Sequence, residues 1–139
     1  MVIKQISVFV ENRPGRLAEI TSVIAKSKVD IRALSIADTS HFGILRLIVN
    51  DSDKAQKALK KAGLTLSITN VVAFNIADVP GGLANALSIL AQKEIPVEYI
   101  YAFVAKNDLA FAVLRTDDIE GAVDALKIAG YKSFSIEDV

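Results

Sequence analysis

The chain has 139 residues, 52% hydrophobic and 23% charged, which is ample apolar surface for a core and argues against disorder. Its 16 basic side chains are balanced by 16 acidic ones, so the basic excess that marks a nucleic-acid binder is missing. Cysteine is absent, which excludes disulfides, thiol catalysis and thiolate metal sites; no apolar run approaches the ~20 residues that span a bilayer.

Residues 1–5 lead straight into a strand pattern without a signal-peptide layout, so a cytoplasmic chain is expected. Ile6, Val8 and Val10 alternate with Ser7 and Phe9, the period of a half-buried strand. The turn Glu11-Asn12-Arg13-Pro14-Gly15-Arg16-Leu17 follows. Pro14 presets a helical φ, Gly15 lets another group approach the backbone, and Asn12 is placed to cap the helix or face a ligand. Leu17, Ile20 and Ile24 then form an apolar stripe at helical spacing. Strands are expected over residues 30–38 and 42–50. Asp51 to Asp53 offer caps for a second helix that Gly63 stops, and a strand over 65–69 closes the unit.

The order then starts again. Pro80-Gly81-Gly82-Leu83-Ala84 repeats Pro14-Gly15-Arg16-Leu17-Ala18 after 80 − 14 = 66 residues, and one extra residue later brings Ala129-Gly130 onto Ala62-Gly63. A strand over 71–77 follows 65–69 with no linker between them. Leu83, Ala86, Leu87 and Leu90 give the helix stripe, and strands are expected over 97–104 and 109–115. Asp117-Asp118 opens a helix that Gly130 ends, and a strand over 133–137 completes the copy. The expected fold is α+β: two ferredoxin-like βαββαβ units, 1–70 and 71–139. Each has an antiparallel sheet with its helices on one face. One half alone leaves sheet edges bare, so edge-to-edge pairing of the units is expected.

The first N–H groups of a helix lack internal partners and carry partial positive charge, so the Asn12–Leu17 turn suits a carboxylate; it also reads as a capped turn and nothing more. The second turn, Asp78-Val79-Pro80-Gly81-Gly82-Leu83, has an anion where the first has an amide. Other residues read more simply. His41 stands alone in a loop and lacks partners at metal-ligand spacing. Tyr99 and Tyr101 share one strand face, a packing pattern. Lys57, Lys60 and Lys61 fit a solvated helix face, and Asp117, Asp118 and Glu120 fit a helix N-terminus. No phosphate loop, nucleophile–base pair or dinucleotide fingerprint is present, so an enzyme is not expected.

The string Val-Glu-Asn-Arg-Pro-Gly-Arg-Leu, the helix after it, Val29-Asp30-Ile31 and Phe42-Gly43 together resemble an ACT domain, and both copies fit. The resemblance implies a regulatory module in which a free amino acid sits between two ACT units. It implies contacts from Asn12, Arg13, Gly15, Arg16 and Leu17, with Asp30 and Ile31 contributed from a paired unit. Asp30 stands where serine-binding members often carry an amide; a carboxylate there can pair with the ligand's ammonium group. In the second copy the carried-over residues are Asp78, Gly81, Gly82 and Leu83, with the apolar Pro96 at the strand-two position. A homodimer, a partner enzyme of amino-acid metabolism, and no cofactor or metal are implied with it.

Two other functions compete. A docking subunit similar to the small subunit of acetohydroxyacid synthase is one, although here the second half repeats the Pro-Gly turn. RNA binding is the other; it requires aromatics on the open faces of strands one and three within a basic surround, and Phe9 is the one obvious candidate in the first copy.

Overall fold

The computed structural model describes residues 1–38, 41–104 and 109–134. The chain divides into two compact units, Lys4–Thr69 and Asn70–Val139, the latter joined by Met1–Ile3.

In the first unit the elements are β1 (Val2–Glu11), α1 (Arg16–Lys26), β2 (Ile31–Asp38), β3 (Phe42–Val49), α2 (Ser52–Lys61) and the start of β4 (Leu66–Ala77). Its antiparallel sheet runs β2-β3-β1-β4, with Leu34 opposite Leu47 and Val8 opposite Leu45. Alternation decides which side chains enter the core. Ile6, Val8 and Val10 point one way and pack with Leu45, Leu47 and Val49 against Ile20 and Ile24 of α1 and Ala55 and Leu59 of α2. Both helices therefore cover one sheet face.

The second unit repeats this with the remainder of β4, α3 (Gly82–Gln92), β5 (Tyr99–Val104), β6 (Leu109–Arg115) and α4 (Ile119–Ile128). The strand order is β4-β6-β5, and Val72, Phe74, Ala112 and Leu114 pack against Ala86, Leu90, Ala122 and Leu126. The strand expected over 133–137 is seen as a single bridge, Ser133 to Phe74, beside β4; residues 135–137 lie outside the described residues. Met1 belongs here because the Ala73 N–H donates to its carbonyl at 2.7 Å.

The expected strands over 65–69 and 71–77 form one strand, β4. No glycine or proline interrupts the sequence from Leu66 to Ala77, so nothing forces a break. Asp51 caps α2 by accepting from the Lys54 N–H at 3.0 Å, and Asp118 caps α4 by accepting from the Gly121 N–H at 2.9 Å. Gly63 and Gly130 follow these helices at φ +82° and +90°, the left-handed region that ends a helix without a side-chain clash. Among the described residues no helix is long and apolar enough to cross a membrane.

Candidate functional site

The turn after β1 forms the floor of a recess of about 380 Å³ lined by Val10, Glu11, Asn12, Arg13, Arg16 and Leu17, with Ile36 from β2 and Gly43 from β3. Local geometry explains how it stays open. Gly15 takes φ +82° immediately before α1 and is the residue preceding the helix; no side chain caps it. The proposed capping role of Asn12 is therefore not realised. The left-handed step at Gly15 starts the helix later, and the Asn12 N–H instead donates to the carbonyl of His41 at 2.9 Å. Gly15 also does not line the recess. A Cβ there would meet no other atom of the chain within 4 Å, so within the protein itself backbone handedness accounts for the glycine.

Charge is concentrated along one side. Arg16 Nη1 donates to Glu19 Oε2 at 2.8 Å, Arg13 Nη2 to the same oxygen at 3.3 Å, and Arg13 Nε lies 3.4 Å from Glu11 Oε2. The Glu19 carboxyl is held below the usual carboxylate range, first by the hydrogen bond from Arg16, against an opposing push from desolvation, and then by the charge of Arg13. The Nε of Arg16 is buried without a hydrogen-bond partner. A buried, unsatisfied guanidinium donor costs free energy until an acceptor arrives, and an anion is the strongest acceptor available to it.

Within this unit Asp30 and Ile31 stand away from the turn. They begin β2, whose Ile31 pairs with Val49, whereas the recess lies at the Asp38–Gly43 end of the same strands. The Asp30 carboxylate pairs with Arg32 at 3.2 Å, and its N–H donates to Asn50 Oδ1 at 2.9 Å. Sequence reasoning missed Ile36 as a wall of the recess. Its signal was strand parity: Ile36 lies opposite Leu45, a core residue, and so faces the helix side.

The second unit has a matching recess of about 480 Å³ with different chemistry. Ile76, Ala77, Asp78, Val79 and Leu83 line it together with Ala102, Val104 and Ala110. Gly81, at φ +86°, precedes α3 with no side-chain cap, so Asp78 does not cap the helix either. Gly82 stands where the first unit has Arg16, and a Cβ on it would sit 2.3 Å from the Ala77 carbonyl oxygen. The first recess thus has two guanidiniums and one carboxylate on its lining, the second one carboxylate and no cation. Among the described residues no group of histidines and carboxylates could hold a metal ion.

Two βαββαβ units, each opening a recess where its first strand turns into its first helix, define a tandem α+β pair. The chain belongs to the ACT domain pair family, whose profile matches residues 1–136. A crystal structure of a protein from Bacteroides thetaiotaomicron shares 42% identity with it, covering 99% of this chain and 95% of that one at a TM-score of 0.92. The ligand-free regulatory subunit of aspartate kinase from Thermus thermophilus shares the fold at 17% identity and a TM-score of 0.64, with 94% of this chain and 97% of that one covered. Aspartate kinase from Clostridium acetobutylicum shares it at 16% identity and a TM-score of 0.52, over 92% of this chain and 33% of that one. The search of curated proteins gives no match.

Proposed function

We propose that this chain is a non-catalytic regulatory protein that binds a small free amino acid in the Val10–Leu17 recess of its first unit. The observation that carries the reading is the buried, unpartnered Nε of Arg16 at a recess beside an uncapped helix start. Donors of both kinds suit an α-carboxylate, since the helix contributes N–H groups with partial positive charge and Arg16 a full one. The apolar side chains of Leu17 and Ile36 on the same lining suit an aliphatic or small ligand side chain. The ammonium group requires an anion, and Asp30 of a paired unit is the candidate that the family pattern supplies.

The regulatory assignment has a second support in the likeness to the aspartate kinase regulatory subunit. On this reading the bound state is sensed by an enzyme of amino-acid metabolism, and docking without a ligand is the alternative. Thermal melting of the isolated protein in the presence of each standard amino acid tests the choice. A ligand at 100 times its Kd adds about 2.7 kcal/mol of stability, enough to move the melting curve of so small a chain visibly. Arg16→Ala should stay folded and lose that shift. If no amino acid at millimolar concentration moves the wild-type curve, the sensor reading fails and docking takes its place.

A further inference from the structure

The sheet face opposite the helices differs sharply between the two units. In the second unit Phe134 stands edge-on to Phe111, with ring centroids 4.6 Å apart, and to Phe103 at 6.0 Å. It leaves Phe111 1% and itself 5% exposed. Carrying the repeat over, Ser67 occupies the position of Phe134 and Ile44 that of Phe111. The first unit therefore has a hydroxymethyl group where the second has a phenyl ring. A recess of about 430 Å³ remains there, bounded by Ser7, Phe9, Ile44, Thr65 and Ser67. Beside it Phe9 and Phe42 pair at 5.2 Å while remaining 52% and 45% exposed. A contiguous apolar patch of this kind marks an interaction surface.

We propose that a second copy of this chain covers this patch, the two first units meeting sheet to sheet about a two-fold axis. The outward residues of β1 and β3 form a charged-apolar-charged band. Glu11 lies opposite Phe42 at one end, Phe9 opposite Ile44 in the middle, and Ser7 opposite Arg46 at the other end. A two-fold axis in the interface, running across the strands through Phe9 and Ile44, maps each end of the band onto the opposite end of its mate. Glu11 and Phe42 of one copy then meet the Ser7–Arg46 end of the other, twice, which brings each Glu11 beside an Arg46, while Phe9 and Ile44 of both copies meet at the apolar centre. An isologous interface requires this self-complementarity. The second unit illustrates within one chain what closes such a face: an aromatic ring set edge-on over it. A single-stranded RNA would also stack on Phe9 and Phe42, yet the band has one cation and one anion, without a basic surround.

Sedimentation velocity of the full chain across a concentration series tests the inference. The wild type should sediment as a dimer at micromolar concentration. Phe9→Ser and Phe42→Ser replace half-exposed rings and should keep the native circular dichroism while weakening the dimer at least tenfold. Ser67→Phe should do the same by closing the recess from within. Glu11→Arg and Arg46→Glu should each weaken the dimer, and the double variant should regain it. A wild type that stays monomeric overturns the proposal, as does a dimer indifferent to Phe9→Ser and to the charge exchanges. Salt-sensitive binding of a single-stranded RNA oligonucleotide, lost in Phe9→Ser by a monomeric protein, would overturn it in favour of nucleic acid. The amino-acid reading is measured separately, through Arg16, and either can fail alone.

Discussion

A methyl group on Gly82 has nowhere to go, because its Cβ would stand 2.3 Å from a backbone carbonyl that cannot swing aside as a flexible side chain could. Gly82→Ala should therefore cost about 1–3 kcal/mol, the usual range for forcing an extra carbon into filled space, as measured by urea unfolding. Gly15→Ala meets open space and pays for left-handed backbone alone, about 1 kcal/mol. Glu19 offers a second residue-level test. Its carboxyl is lowered in the folded state, so the stabilisation it brings is present above the ordinary carboxylate range and is lost as pH falls through the lowered value. In a carboxyl-detected NMR titration Glu19 should titrate below the ordinary glutamate range, and Arg16→Ala should move it back toward that range. The sequence revealed the turn and its residue types. It did not reveal that Gly15 would displace Asn12 from capping, because one left-handed residue redirects the whole helix start. Phe42 was overlooked for a related reason: its place on the open face is set by its register opposite Glu11, which only pairing discloses.

At the scale of elements, the two helices with acidic caps and the two with glycine at the N-terminal boundary divide the labour. Asp51 and Asp118 satisfy N–H groups that would otherwise go unpaired, so Asp51→Ala and Asp118→Ala should each lower stability by about 1 kcal/mol in thermal or chemical unfolding. The starts of α1 and α3, left without side-chain caps, are the ones that open onto the recesses. Their far ends share another peculiarity, since Lys28 and Glu94 adopt φ +57° and +56° where glycine is the usual choice. Lys28→Gly and Glu94→Gly should leave stability unchanged or raise it by up to about 1 kcal/mol, relief of the left-handed strain being partly offset by a freer unfolded chain. Strands, helices and their order were legible from alternation, from the Pro-Gly steps and from the aspartate and glycine punctuation. The fusion of two strands into β4 was half legible, through the missing linker.

For the whole molecule, the repeat makes the doubling of the fold readable in the sequence, and the differences between copies make the two turns chemically unequal there. Asp78 and Pro96 mark the second copy as chemically different; the replacement of Arg13 by Val79 and of Arg16 by Gly82 is the larger change, because together they leave that lining without a cation. Calorimetric titration with the amino acid that stabilises the protein should accordingly give one tight site per chain. Losing a charge-assisted hydrogen bond costs about 1.5–3 kcal/mol, roughly ten- to a hundredfold in affinity, so any second binding event should be weaker by that factor. Asp78→Ala should leave the tight event intact, and two equal events per chain would show the ranking of the recesses to be wrong.

The attachment of Met1–Ile3 to the unit that otherwise begins at Asn70 sets a schedule for synthesis. Met1–Ile3 leave the ribosome roughly 70 residues before Ala73, whose N–H donates to the Met1 carbonyl. At typical elongation rates of about 5–20 residues per second, that leaves them waiting on the order of 4–14 seconds for their partner strand. Lys4–Thr69 can gather its own core in the meantime, while Met1–Ile3 stay unclaimed. A fusion placed ahead of Met1 would load the strand that the nascent chain keeps open longest.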